Sequence, residues 1–141
     1  MPRYYEDVEP GDGLGPYEKI ATRHAVADFC EIWGAPAAAR FTDDGAAQKE
    51  GLPNAIVPGI MSMAYMAQLL SHWADGGLLK SLDVIFRQTV PHEQPLQLVG
   101  VVTDKTQDTH ESHVTCDVYV LSADGERLVG GKAVVLLPNR P

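Results

Sequence analysis

The sequence predicts an α+β fold in which a curved antiparallel sheet wraps one long apolar helix. Three observations predict it. The stretch from Ile60 to Trp73 is apolar around most of a helical circumference. The chain beyond it changes from a period of 3.6 to a period of 2. An Asp124-Gly125 pair then sits between two alternating runs, where a hairpin turn belongs. A helix apolar on every side, followed by an antiparallel meander, requires a sheet that bends around it.

The elements follow in order. Residues Tyr4 to Gly15 are rich in Gly, Pro and acid and read as an irregular lead-in before a strand over Tyr17 to Ala21. Thr22 is placed to cap a helix from Arg23 to Ile32, with Ala25, Phe29 and Ile32 on its apolar face. Gly34 and Pro36 stop it. A short helix is expected from Asp43 to Glu50, capped by Thr42 and closed by Gly51, with its acids at the positive end of the helix dipole. The long helix from Ile60 ends at Gly76-Gly77 and is too short to span a bilayer. Leu82, Val84 and Phe86 then alternate with Asp83, Ile85 and Arg87, and Leu96 to Thr103 forms another strand. Val114, Cys116, Val118 and Val120 alternate with polar residues and Tyr119, and Leu128 to Leu137 returns as the last strand. Gly130-Gly131 marks a bulge or a close approach within it. The result is the hot-dog architecture, carried by a single domain over residues 1–141.

Composition narrows the function. With 141 residues the chain has room for one core. A formal charge of -8 argues against a nucleic-acid surface, which needs clustered Lys and Arg against phosphates. The two cysteines, Cys30 and Cys116, fall in a helical and a strand pattern and read as buried thiols of a reducing compartment. The first residues lack an apolar signal core, so a cytoplasmic protein without membrane contact is expected. No metal-ligand spacing is present among the five histidines and two cysteines.

The stretch from Trp33 to Leu70 resembles the catalytic segment of MaoC-like (R)-specific enoyl-CoA hydratases and acyl dehydratases. In that family a loop reading roughly S-G-D-x-N-P-x-H is followed by an acid, a glycine and an [IV]-x-H-G-[ML] turn. Here Gly34 matches the loop glycine, Asp43 or Asp44 the acid, Gly51 the later glycine, and Ile56-Val57-Pro58-Gly59-Ile60 the turn. Counting without gaps, Ala35 stands at the catalytic Asp, Ala37 and Ala38 at Asn-Pro, and Arg40 at the catalytic His. A one-residue slip puts Pro36 and Phe41 there instead, and neither register restores the pair. Phe86, Val90 and Leu96 also hold the register of a family strand and turn, where Thr89, Glu93 and Gln94 replace Pro, Gly and Asp.

The resemblance implies an acyl-CoA or acyl-carrier thioester as ligand, no cofactor beyond it, and a hydratase or dehydratase setting in fatty-acid or steroid metabolism. It also implies a homodimer, or a heteromer with a catalytic subunit of the same kind. Gly59 matches the glycine whose backbone N–H holds the thioester oxygen. Pro58, Gly59, Met61, Met63, Arg87 and His92 are the residues expected to border the ligand.

Hydration of an enoyl thioester needs a base for the water and an acid for the carbon, besides donors at the oxygen. Ala35 has no proton to give, and a guanidinium at Arg40 stays charged and serves as no base near neutral pH. Arg40, Asp43, Asp44 and the Gly59 amide are therefore the remaining catalytic candidates, although Arg40 reads more readily as a surface or interface ion-pair residue and the two acids as solvated helix-start residues. Two readings follow. One is a non-catalytic subunit of a heteromeric enoyl-CoA hydratase. The other is a homodimeric hydratase, dehydratase or lyase with a non-standard acid–base pair. A hot-dog thioesterase fits less well, because Ile60 to Met66 contains no carboxylate.

Overall fold

The computed structural model describes residues 1–33 and 39–141. In chain order it contains strand β1 (Gly13–Ile20), helix α1 (Arg23–Trp33), helix α2 (Asp44–Lys49), strand β2 (Ile56–Val57), helix α3 (Gly59–Trp73), and strands β3 (Leu78–Phe86), β4 (Val90–Pro91), β5 (Pro95–Gln107), β6 (Ser112–Leu121) and β7 (Arg127–Leu136). Five strands form one sheet in the order β1-β5-β6-β7-β3, every pair antiparallel, and β2 pairs with β4 in a separate ladder. None of the described helices is long and apolar enough to cross a membrane.

The centre of the sheet obeys the expected alternation. On β6, Val114, Cys116, Val118 and Val120 are fully buried, while His113, Thr115, Asp117 and Tyr119 point to the other, more open face. Burial pushes the Cys116 thiol up to about 12, so it sits in the core as an inert apolar group. On β7 the Gly130-Gly131 pair is a close approach and not a bulge, because the ladder register runs through it unbroken. A Cβ on Gly131 would lie 2.9 Å from the Asp83 carbonyl oxygen and 3.1 Å from Met66 Cε. Glycine there lets α3 seat Met66 directly on the strand.

Helix α3 buries Met61, Ser62, Met66, Leu69, Leu70 and Trp73. Its opposite side departs from the all-round burial that composition predicts. Ile60 is 45% exposed, Ala64 and Gln68 are exposed, and Met63 and Ala67 are only partly covered. One chain's sheet curls around a single side of the helix, and apolar composition alone does not say how far round the cover reaches.

Three local expectations also change. Strand β1 begins at Gly13, because its ladder with β5 continues past the Gly-Pro step through an irregularity between Leu14 and Tyr17. Helix α1 is capped by Thr22, whose hydroxyl accepts the Ala25 N–H at 3.0 Å, but its buried stripe centres on Val26 and Cys30. Ile32 lies off the edge of that stripe and is 86% exposed. Helix α2 is capped by Asp43 and not by Thr42: Asp43 Oδ1 accepts the Gly45 N–H at 2.8 Å and the Ala46 N–H at 3.4 Å.

Since Met66 is wholly buried between α3 and the sheet, Met66→Ala leaves a cavity at the centre of the core. Urea unfolding is expected to show a loss of about 2–5 kcal/mol. A loss below about 0.5 kcal/mol, the range of ordinary surface changes, would contradict this packing.

Candidate functional site

The site begins with a short piece of sheet. Ile56 pairs with Pro91 and Val57 with Val90, and this two-residue ladder aims the Pro58-Gly59 corner at the start of α3. Pro58 caps that helix through its carbonyl, which accepts the N–H groups of Met61 at 3.0 Å and Ser62 at 3.2 Å. The Gly59 and Ile60 N–H groups consequently donate to no group among the described residues. Gly59 has a steric reason to be glycine. A Cβ there would lie 3.0 Å from the ring of Phe86, at the end of β3.

A cavity of about 380 Å³ opens at this corner, lined by Val57, Gly59, Ser62, Phe86, Arg87 and Val90 among others. The backbone N–H groups of Arg87 and Gln88 both donate to the Leu128 carbonyl, at 2.9 and 3.0 Å, which fixes the chain as it leaves β3 over the cavity mouth. Ser62 is fully buried in the wall, and its hydroxyl has no hydrogen-bond partner among the described residues. Sequence reasoning passed over Ser62. The available signal was a lone hydroxyl at i+3 from Gly59, on the same side of an otherwise apolar helix turn.

The other candidates are occupied elsewhere. Arg40 lies in a 3-10 turn over Ala39–Phe41, with its Nε 3.3 Å from Glu50 Oε2 and both side chains about half exposed. Asp43 is used as the cap of α2. Asp44 Oδ1 accepts the Ala55 N–H at 2.8 Å, and its other oxygen pairs with the Arg23 guanidinium. These contacts, the Ala55 bond first and then the Arg23 pair, hold the Asp44 carboxyl below its ordinary 3.8. Ala35, with its neighbours Gly34, Pro36, Ala37 and Ala38, lies outside the described residues.

His92 is 8% exposed, with Nε2 3.0 Å from the Ile56 carbonyl oxygen. That carbonyl only accepts, so Nε2 carries the proton and Nδ1 is left without a partner among the described residues. The ring fastens the turn after β4 onto β2. Next to it, Glu93 takes a φ of +60° at the position where the resembling motif has glycine. A non-glycine residue costs roughly 1–2 kcal/mol there. In return its carboxylate accepts the Arg23 N–H at 2.7 Å and closes the first turn of α1.

Of the expected ligand-bordering set, Gly59 and Arg87 line the cavity and Pro58 shapes its edge. Met61 belongs to the core, while Met63 and His92 are not among the lining residues. Among the described residues no trio of His, Cys, Asp or Glu is placed to hold a metal. Chemically, the cavity offers the Gly59 amide, the hydroxyls of Ser62 and Thr89, the Gln88 carboxamide and the Arg87 guanidinium, and its described lining contains no carboxylate or imidazole. Such a set can hold and polarise a carbonyl oxygen.

No family model and no curated protein sequence matches this chain. Solved structures do. The (R)-hydratase PhaJ1 from Pseudomonas aeruginosa superposes with a TM-score of 0.85 at 18% identity, over 97% of this chain and 86% of that one. A MaoC-like dehydratase from Rhodospirillum rubrum matches at 0.85 and 19%, over 99% of both chains. A chain of the ChsH1-ChsH2 complex from Mycobacterium tuberculosis matches at 0.79 and 15%, over 92% of this chain and 98% of that one. At such identities the likeness establishes the fold. The chain has the hot-dog fold of (R)-hydratases and MaoC-like dehydratases.

Asp44 ties the start of α2 to residue 55, just ahead of the site, and most strongly as an anion. A carboxyl with a lowered folded-state pKa stabilises fully above its unfolded value and loses that contribution as pH falls through the folded one. Asp44→Asn is therefore expected to melt below the parent at neutral pH, with the two melting temperatures converging once the pH drops under 3.8. A gap that stays constant across that range would show that the charge is not what holds the tie.

Proposed function

We propose that this chain is a MaoC-like acyl-thioester-binding subunit that supplies the cradle for the thioester oxygen and leaves proton transfer to a related catalytic partner. One observation carries the reading. At the start of α3 the Gly59 amide borders a cavity and donates to no described group, while each described candidate for acid–base work is engaged elsewhere, Arg40 with Glu50, Asp43 with α2, Asp44 with Ala55 and Arg23, and His92 with Ile56. An oxyanion donor needs only backbone geometry and survives the loss of side chains. A base does not.

The magnitudes agree with this division. A single well-placed oxygen donor is worth about 2.7–4 kcal/mol in acyl chemistry, so the cradle retains value without the dyad. Each missing acid–base group costs about 10²–10⁴-fold in rate, and loss of both leaves little turnover. The ligand class, an acyl-CoA or acyl-carrier thioester, comes from the fold likeness together with a cavity lined by apolar walls and a few donors.

Assembly is part of the proposal. Strand β3 is a sheet edge, with Leu78 63%, Ile85 61% and Phe86 50% exposed. An open apolar edge of this length favours pairing with another strand. A second hot-dog chain added at β3 lands beside Phe86 and Arg87, which border the cavity, so the partner flanks the ligand. Likeness to a chain of the ChsH1-ChsH2 complex supports a related but different subunit there, and a second copy of this chain is the alternative.

The purified chain is expected to bind butyryl-CoA in a calorimeter, yet to hydrate crotonyl-CoA at a rate close to the uncatalysed one. Turnover by the chain alone at about 1–10³ s⁻¹, the ordinary enzyme range, would mean that a non-standard acid–base pair operates and would overturn the non-catalytic reading.

A further inference from the structure

We infer that the Ser62 hydroxyl is a second hydrogen-bond donor for the ligand oxygen, acting beside the Gly59 amide at the first turn of α3. The inference rests on the thioester-site reading above and names the residue that completes it. Ser62 is 0% exposed and its Oγ has no partner among the described residues. A helical serine usually satisfies itself by donating to the carbonyl four residues back. Here that carbonyl belongs to Pro58 and already accepts two N–H groups, those of Met61 and Ser62 itself. Both lone pairs are in use.

The hydroxyl thus stands in an apolar wall without a structural bond to make. Burying it unpaired opposes folding, and an alanine of smaller volume would carry no such cost. Its position supplies a use. Gly59 and Ser62 are three residues apart on one helix and line the same cavity, so their donors face it from adjacent levels of one turn. Arg87, Gln88 and Thr89 line the same cavity, and none of them hydrogen-bonds the Ser62 hydroxyl. Phe86 covers the corner. Its half-exposed ring packs over Gly59.

The test compares the parent chain with Ser62→Ala, using butyryl-CoA and S-butyl-CoA, a thioether with the same chain but without the carbonyl oxygen. Calorimetry is expected to show butyryl-CoA binding weakened about 2- to 12-fold in the variant, the range of one neutral hydrogen bond, with S-butyl-CoA unaffected. Ser62→Thr, which keeps the hydroxyl, should restore the thioester affinity. The unliganded Ser62→Ala chain should melt no lower than the parent, since it loses an unpaired polar group. If the parent binds butyryl-CoA and Ser62→Ala binds it equally well, or if both ligands weaken alike, the hydroxyl does not touch the oxygen and the inference fails alone. If the parent binds neither ligand, the thioester reading fails and takes the inference with it.

Discussion

Helix α3 must hide Met61, Met66, Leu69, Leu70 and Trp73 from water, and a flat sheet cannot reach around enough of its surface to do so. Curvature of the five-stranded sheet is the answer, and most other features serve it. Gly131 thins β7 where Met66 presses on it. The buried valines of β6 form the floor, and Leu79, Leu82 and Val84 of β3 close one side. Because the helix is held along its length, its first turn is held as well. The position of the Gly59 amide is therefore a consequence of core packing and does not depend on the loop side chains that precede it.

Under the proposed function, that coupling lets a chain depart from the MaoC-like catalytic pattern and keep the site's frame. The proposed cradle is backbone, fixed by the Pro58 cap, the β2-β4 ladder and the steric fit of Phe86 against Gly59. The acid–base groups are side chains on a separate segment, which can change without disturbing the core. At Arg40 and Asp44 the described residues instead form ion pairs, with Glu50 and Arg23. Those pairs fasten the segment to itself and to α1.

Legibility in the sequence followed the range of the interactions concerned. Strand β6 and the start of α1 were readable because alternation and the Thr22 cap are local signals. The beginning of β1 was not, since pairing with β5 some eighty residues away carries the strand through a Gly-Pro step that reads as a breaker. Burial around α3 was overestimated at Ile60 and Ala64, because hydrophobicity measures what a helix tolerates and the sheet decides what it receives. Gly59 and Arg87, picked out by their register with the resembling motifs, line the cavity, whereas Asp43 as a cap and His92 as a fastener of β2 needed coordinates. Ser62 was missed for a different reason: a hydroxyl on a helix has many ordinary explanations, and only the occupied Pro58 carbonyl removes the commonest of them.

The start of α3 is, on the proposed function, an oxygen-binding corner. Amide-resolved NMR of the chain titrated with butyryl-CoA addresses it directly, because the Gly59 and Ile60 N–H groups are unpaired in the unliganded chain among the described residues. The account predicts saturable downfield movement of the Gly59 amide proton, with smaller shifts at Ile60, Arg87 and Gln88. Saturable binding that leaves Gly59 and Ile60 unmoved while another surface responds would contradict it.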